Sequence, residues 1–182
     1  MHGESALERR FWRYWLAGIL LLALQIVLNV WLVNDVSPLG ISDHQAAGSA
    51  MIVDAIHAGW QATGEMKLAL SSMILDCLFI GVYSWGAYAG GRLFASEQNA
   101  LLSRLGKIIT VAALGFCAAD YAETISQLVQ AIRGQGSDSL AYVAATVRPV
   151  KTRSGRAFAS PASTTKYSCS QPRVAVTLET FL

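Results

Sequence analysis

Three apolar runs, each long enough to cross a bilayer, constrain this chain more than any other feature. Residues 15–33 (WLAGILLLALQIVLNVWLV) carry no charge. At about 1.5 Å of rise per residue such a run matches a hydrocarbon core of about 30 Å. The runs at 66–90 and 108–132 are longer still, although the second contains Asp76 and the third contains Asp120 and Glu123. In hydrocarbon every backbone N–H and C=O must be satisfied within the protein, so runs of this kind fold as helices. The expectation is an all-α, polytopic transmembrane bundle with three clear spans. Composition agrees: of 182 residues, 53% are hydrophobic and only 14% charged, against about 25% charged in a soluble domain.

The first run reads as an uncleaved span. It is too long for a signal-peptide core, and the following Asn34-Asp35-Val36-Ser37-Pro38 lacks a small-residue cleavage site. Orientation follows from the loops. Arg9, Arg10 and Arg13 precede the first span, and Arg92, Arg104 and Lys107 lie between the second and third. The loop between the first two spans carries Asp35, Asp43, Asp54 and Glu65 against Lys67. Cytoplasmic loops hold the excess of Lys and Arg, so the N-terminus is expected in the cytoplasm and the acidic loop outside. The localisation that fits is a bacterial inner membrane. Aromatic residues at both ends of the first span, Trp12, Tyr14 and Trp15 at one and Trp31 at the other, suit interfacial anchoring.

Within the acidic loop, Ile52, Ala55, Ile56, Gly59 and Trp60 recur at three- and four-residue spacing. The pattern predicts a short external amphipathic helix over 45–60, lying on the bilayer surface. His44 just precedes it and His57 lies within it, near Asp43 and Asp54, but neither HxxxH nor HExxH is present, and the expectation is two solvated side chains and no metal. Cys77, Cys117 and Cys169 show no CxxC spacing, so no zinc site or disulfide framework is implied. No cofactor is expected. The net charge of +2 is small and the basic residues are scattered, which argues against a nucleic-acid partner.

The intramembrane acids are the candidate site. Helical rise places Asp76, Asp120 and Glu123 each about 13–18 Å below the outer ends of their runs, near one plane. Ser72, Asp76 and Tyr83 share a face of the second helix; Gly86 and Gly90 form a GxxxG there that permits close backbone approach. Asp120, Glu123, Thr124, Gln127 and Gln130 form a stripe on the third, and Gln25 and Asn29 lie four apart on the first. Turning all these stripes inward is the economical packing. Carboxyls so placed cannot all ionise without a cation, because desolvation and mutual repulsion both oppose it. Lys151, with Arg148, is the natural counter-ion if a fourth helix starts at about 140 and turns back into the membrane, although Pro149 interrupts it.

After Thr152 the chain turns polar, rich in Ser, Thr, Arg and Pro. Either residues 153–182 form a disordered tail, or they are read in a shifted frame that replaces a fourth span. The second expectation is preferred, since three helices leave the acids without an embedded counter-ion. A homo-oligomer supplying the cation from a second copy rescues the three-helix version. The sequence over 15–152, with Leu75-Asp76-Cys77-Leu78-Phe79-Ile80, Tyr83 and Ala119-Asp120-Tyr121-Ala122-Glu123, resembles small bacterial four-helix integral membrane proteins. That resemblance implies a fourth helix opened by a basic residue, and it implies no activity, cofactor or catalytic residue.

No GxSxG, HExxH or phosphate-binding glycine loop is present, so catalysis is not the main expectation; an intramembrane enzyme in which Asp120 and Glu123, three residues apart, act as general acid and base or hold a divalent cation is kept as an alternative. The bland reading of Asp76, Tyr83, Asp120, Glu123 and Lys151 is a buried polar and ionic cluster that fixes helix packing. The sharper reading is a proton or ion relay, or a small-solute transport component; an accessory subunit of a membrane complex is the remaining one. The lipid bilayer is the expected partner in all of them.

Overall fold

The structure, a computed structural model, describes residues 6–147. All regular elements among them are helices: α1 (Ala6–Val30), α2 (Ile41–Gln45), α3 (Ala50–Ala62), α4 (Met66–Ala95), α5 (Ala100–Arg133) and α6 (Asp138–Val147). α1, α4 and α5 are long and apolar enough to cross a membrane. α4 and α5 overrun the expected spans because a helix does not stop where the hydrocarbon does, whereas α1 begins before its expected span and ends at Val30, short of the expected end at residue 33. Leu20, Val111, Leu78 and Leu114 all lie more than half exposed on their outer faces, an arrangement that lipid, not water, makes favourable. These features describe a multi-pass membrane protein.

α4 is the central helix, packed against α1 on one side and α5 on the other. In its most apolar stretch 28% of residues are buried, against 6% for α1 and 11% for α5. Small residues bring the chains together. A Cβ on Gly86 would sit 3.4 Å from Tyr14 Cβ, and one on Gly90 3.0 Å from the Phe11 ring. The GxxxG therefore receives α1, as its spacing suggests. The α4–α5 contact is closer. A Cβ on Gly91 would lie 2.5 Å from Thr110 Oγ1, and one on Gly106 would strike the backbone of Ala95, Gly91 and Phe94.

The helix ends have identifiable causes. Asn99 caps α5, its side chain accepting from Leu101 N at 2.9 Å and Leu102 N at 3.3 Å. Gly134 closes α5 at φ 64°, the left-handed conformation common just past helix ends. α1 ends in a turn built on Asn34, whose Oδ1 accepts from Val36 N and Ser37 N. Asn29 then pins the next element, accepting from Ile41 N at 2.8 Å and donating to Leu39 O at 3.3 Å. Gly40 is at φ 62° beside it, and a Cβ there would lie 2.5 Å from Asn29 Oδ1.

Of the expected amphipathic helix over 45–60, only the part from Ala50 on is helical, as α3; α2 ends at Gln45 and Gly48 at φ 67° lies between the two. The buried face of α3 is Val53, Ile56, His57 and Trp60, while Ile52 is 37% exposed. The stripe is rotated because it faces protein. Leu32, Val53, Ile56 and Trp60 join Met73 of α4, Ala131 of α5 and Ala141 of α6 in the apolar core. Thus α2, α3 and α6 form a cap over one end of the three long helices. α6 begins near the position expected for a fourth span. The rest of that segment, including Arg148 and Lys151, and the tail at 153–182 lie outside the described residues.

Candidate functional site

Asp76 sits about 15 Å into α4 at the helical rise and is bonded from two neighbouring helices. Gln25 Nε2 of α1 donates to Oδ1 at 3.2 Å, and Thr124 Oγ1 of α5 donates to Oδ2 at 2.7 Å. Gln25 is itself fixed, accepting from Ser72 Oγ at 2.9 Å and donating to Ser72 O at 3.3 Å. One carboxylate and one amide therefore tie three spans. Further along the same antiparallel contact, Tyr83 OH donates to Asp120 Oδ2. Between these levels, Tyr121 OH donates to Cys77 O at 3.0 Å.

The expected cluster is thus resolved into two levels. Asp76 meets Thr124, and Asp120 meets Tyr83. Glu123 is buried on another part of α5, where Gln127 Nε2 lies 3.4 Å from its Oε1. Asn29 serves the α1–α2 turn and not the bundle. Lys151 lies outside the described residues. The Lys and Arg residues of the long helices all sit towards their ends: Arg9, Arg10 and Arg13 on α1, Lys67 and Arg92 on α4, and Arg104, Lys107 and Arg133 on α5. The donors to Asp76 and Asp120 just described are all neutral, so these bonds accommodate either a carboxylate or a carboxyl that gives up one acceptor site.

The second polar assembly departs from expectation. His44 and His57 are buried, with 1% and 2% of their surfaces exposed, and are not solvated. Their Nε2 atoms are 2.9 Å apart. The rings stack at 4.9 Å between centroids and 21° between planes, with Trp60 against both. Trp60 is anchored by Nε1 donating to Leu32 O at 2.9 Å. Both Nδ1 atoms are buried without a hydrogen-bond partner among the described residues. Burial and the neighbouring His57 push the His44 pKa down to about 3, while Gln127 opposes the shift. Burial also lowers His57, and Asp54 raises it. Among the described residues no three His, Cys, Asp or Glu side chains come together as a metal site.

An apolar groove of about 400 Å³ runs between α1 and α4, lined by Phe11, Tyr14, Gly18, Phe79, Tyr83 and Gly86 among others. Its walls offer packing for hydrocarbon and little else. The sequence signals missed were Thr124 as the partner of Asp76 and the histidine pair. The His57 and Trp60 spacing marks a buried helical face once Val53 and Ile56 are included with it. No protein-family model matches the chain, and neither a curated protein nor a solved structure matches it. The functional reading therefore rests on the geometry.

Proposed function

We propose that this chain is a small multi-pass protein of a bacterial inner membrane in which Asp76 and Asp120 are interhelical clamps that set the register of α1, α4 and α5. It acts as a membrane scaffold or accessory subunit, with its N-terminus in the cytoplasm and the α2–α3 cap outside. The observation that carries the reading is that the described side-chain bonds of Asp76 and Asp120 all run to another helix: Gln25 and Thr124 reach Asp76, and Tyr83 reaches Asp120. Polar bonds of this kind hold spans together where no hydrophobic effect separates helix from lipid. The orientation rests on the cluster of Arg9, Arg10, Arg13, Arg92, Arg104 and Lys107 towards one end of the spans, with Asp35, Asp43, Asp54 and Glu65 in the segment that joins α1 to α4 at the other.

A second reading, proton exchange through the acids, draws on one observation: the described side-chain bonds to Asp76 and Asp120 come from uncharged donors, and an ionisable side chain at membrane depth is a candidate functional group, proton relays being one such use. Reconstituted vesicles separate the two. The clamp predicts that Asp76→Ala and Asp120→Ala lower the folded, monodisperse yield, that Asp76→Asn is milder, and that wild-type vesicles show only background proton flux. Flux in the wild type that disappears in well-folded Asp76→Asn establishes the relay and overturns the clamp as the main role.

A further inference from the structure

The His44–His57 pair joins α2 to α3 inside a cap that covers the end of α5, and its bonding is sensitive to the number of protons it holds. With no added proton, one Nε2–H donates to the other Nε2. The ring that donates through Nε2 then has a bare Nδ1, and its partner carries Nδ1–H. Both Nδ1 atoms are buried without a hydrogen-bond partner among the described residues, so the bond between the Nε2 atoms is the contact that ties the two rings together. One added proton preserves the central bond, since one Nε2 still accepts. A second proton leaves two N–H groups facing each other across 2.9 Å in a site closed to water.

Beneath the cap lies the most polar buried surface of the long helices. Glu123, Ser126, Gln127 and Gln130 follow one another at three- and four-residue spacing on α5, and all are buried. α2 packs on α5 where His44 meets Gln127. Gln127 Nε2 is 3.4 Å from Glu123 Oε1, and Gln130 Oε1 accepts from Ser137 N at 2.9 Å at the start of α6. The stripe thus runs from the cap towards the acids of the spans.

We propose that His44 and His57 form a proton-operated latch that keeps the α2–α3 cap closed over the Glu123–Gln130 stripe and releases it when both rings are protonated. The inference stands apart from the clamp, because it concerns the cap and no residue bonded to Asp76 or Asp120. Released, the cap lets water reach the stripe, so the acidity of the compartment on that side governs access to polar groups otherwise sealed from it.

Other charges near the pair set the background. Asp54 on α3 favours protonated His57, but it also accepts from Gly136 N at 2.5 Å. Asp43 on α2 accepts from Leu39 N, and Asp138 on α6 from Ala50 N, each at 2.7 Å. Glu65 and Lys67 flank the start of α4, and Glu123 and Arg133 stand on α5. An unperturbed carboxyl group in general titrates at about pH 4, whereas an unperturbed histidine titrates at about 6.5. Closed-state His44 does not protonate until about pH 3. The sign follows: as pH falls through 6.5 the open cap gains protons that the closed cap refuses, so opening grows by up to about tenfold per pH unit for each such histidine.

The test is hydrogen exchange, read by mass spectrometry on the full chain in nanodiscs from pH 7.5 to 4.5 and corrected for intrinsic rates. Protection over 41–62 is expected to fall by about tenfold per unit once pH drops below about 6.5, and exchange in α5 over 126–133 to rise with it. The middle of α4, 74–85, stays protected. The double variant His44→Phe/His57→Phe, which keeps two stacked rings, is expected to flatten the profile. A flat wild-type profile, an onset only below about pH 4.5, or a slope that survives in a folded double variant each overturns the latch. If the double variant does not fold, the wild-type onset decides: near 6.5 supports the histidines, and near 4 assigns the change to carboxylates.

Discussion

Thr124 and Asp76 face each other across the α4–α5 contact, the hydroxyl donating to Oδ2 at 2.7 Å. The bond crosses between helices at a depth where lipid surrounds the bundle, so losing its donor leaves a half-buried acceptor short of a partner. Thr124→Val keeps the shape of the side chain and removes only the donor. It is expected to lower stability by about 1–2 kcal/mol, while Thr124→Ser, which retains the hydroxyl, recovers most of the loss. Unfolding in mixed micelles by increasing anionic detergent measures the difference. Equal midpoints for wild type and Thr124→Val exclude a clamp at this position.

Close approach of α4 and α5 makes a sharper claim at two glycines. A Cβ on Gly106 would strike the backbone of Ala95, Gly91 and Phe94, and a backbone cannot be moved aside as a side chain can. Gly106→Ala must separate the helices, and a cost of about 1–3 kcal/mol or more is expected. Gly115 is on the same helix with nothing within 4 Å of its Cβ position. Gly115→Ala is therefore expected to be neutral or to stabilise by up to about 1 kcal/mol, since alanine is the better helix former. Folded yield after size exclusion, compared for the two variants, reads the contrast.

α4 and α5 are separated by a short break, and Asn99 is the side chain that restarts the helix. It accepts from Leu101 N and Leu102 N. Asn99→Ala is expected to cost about 1 kcal/mol, with Asn99→Asp retaining most of the capping. The measurement is thermal unfolding followed by helical circular dichroism. Because the cap lies at the end of a helix and outside the acid cluster, the loss should be the same in an Asp76→Asn background, within about 0.5 kcal/mol.

The long helices were legible because hydrocarbon imposes one solution on each apolar run, and their inward stripes because Ser72, Asp76, Thr124 and Asp120 keep helical spacing. The pairings were less so. Thr124 looked like one of several polar residues on α5, and only the antiparallel register of α4 against α5 selects it for Asp76 and leaves Asp120 for Tyr83. The cap was misread for a different reason. A loop rich in Asp and Gly gives no sign that it folds back on protein, and His44 and His57 are buried against Trp60, with Gln127 of α5, distant in sequence, at His44. Lys151, the expected counter-ion, falls outside the described residues, so the charge balance of the acids rests on the sequence argument.

The histidines also make whole-molecule stability depend on pH, in a direction fixed by linkage. The folded pKa of His44 lies near 3 and His57 is lowered in the same sense; unfolded histidine titrates near 6.5. Between these values the unfolded chain binds more protons than the folded one, so stability rises with pH and levels off above about 6.5. The slope per histidine is on the order of 1.4 kcal/mol per pH unit, an upper limit when a histidine is only partly shielded. Denaturation midpoints at pH 5 and pH 7 are expected to differ in favour of pH 7, and His44→Phe is expected to narrow that difference. Trp60→Phe provides a control. It removes the bond to Leu32 O and should lower stability by about 1–3 kcal/mol, by about the same amount at both pH values, because indole does not titrate in this range. A Trp60→Phe loss confined to pH 5 would place the pH sensitivity in the packing around the ring instead of in the two imidazoles.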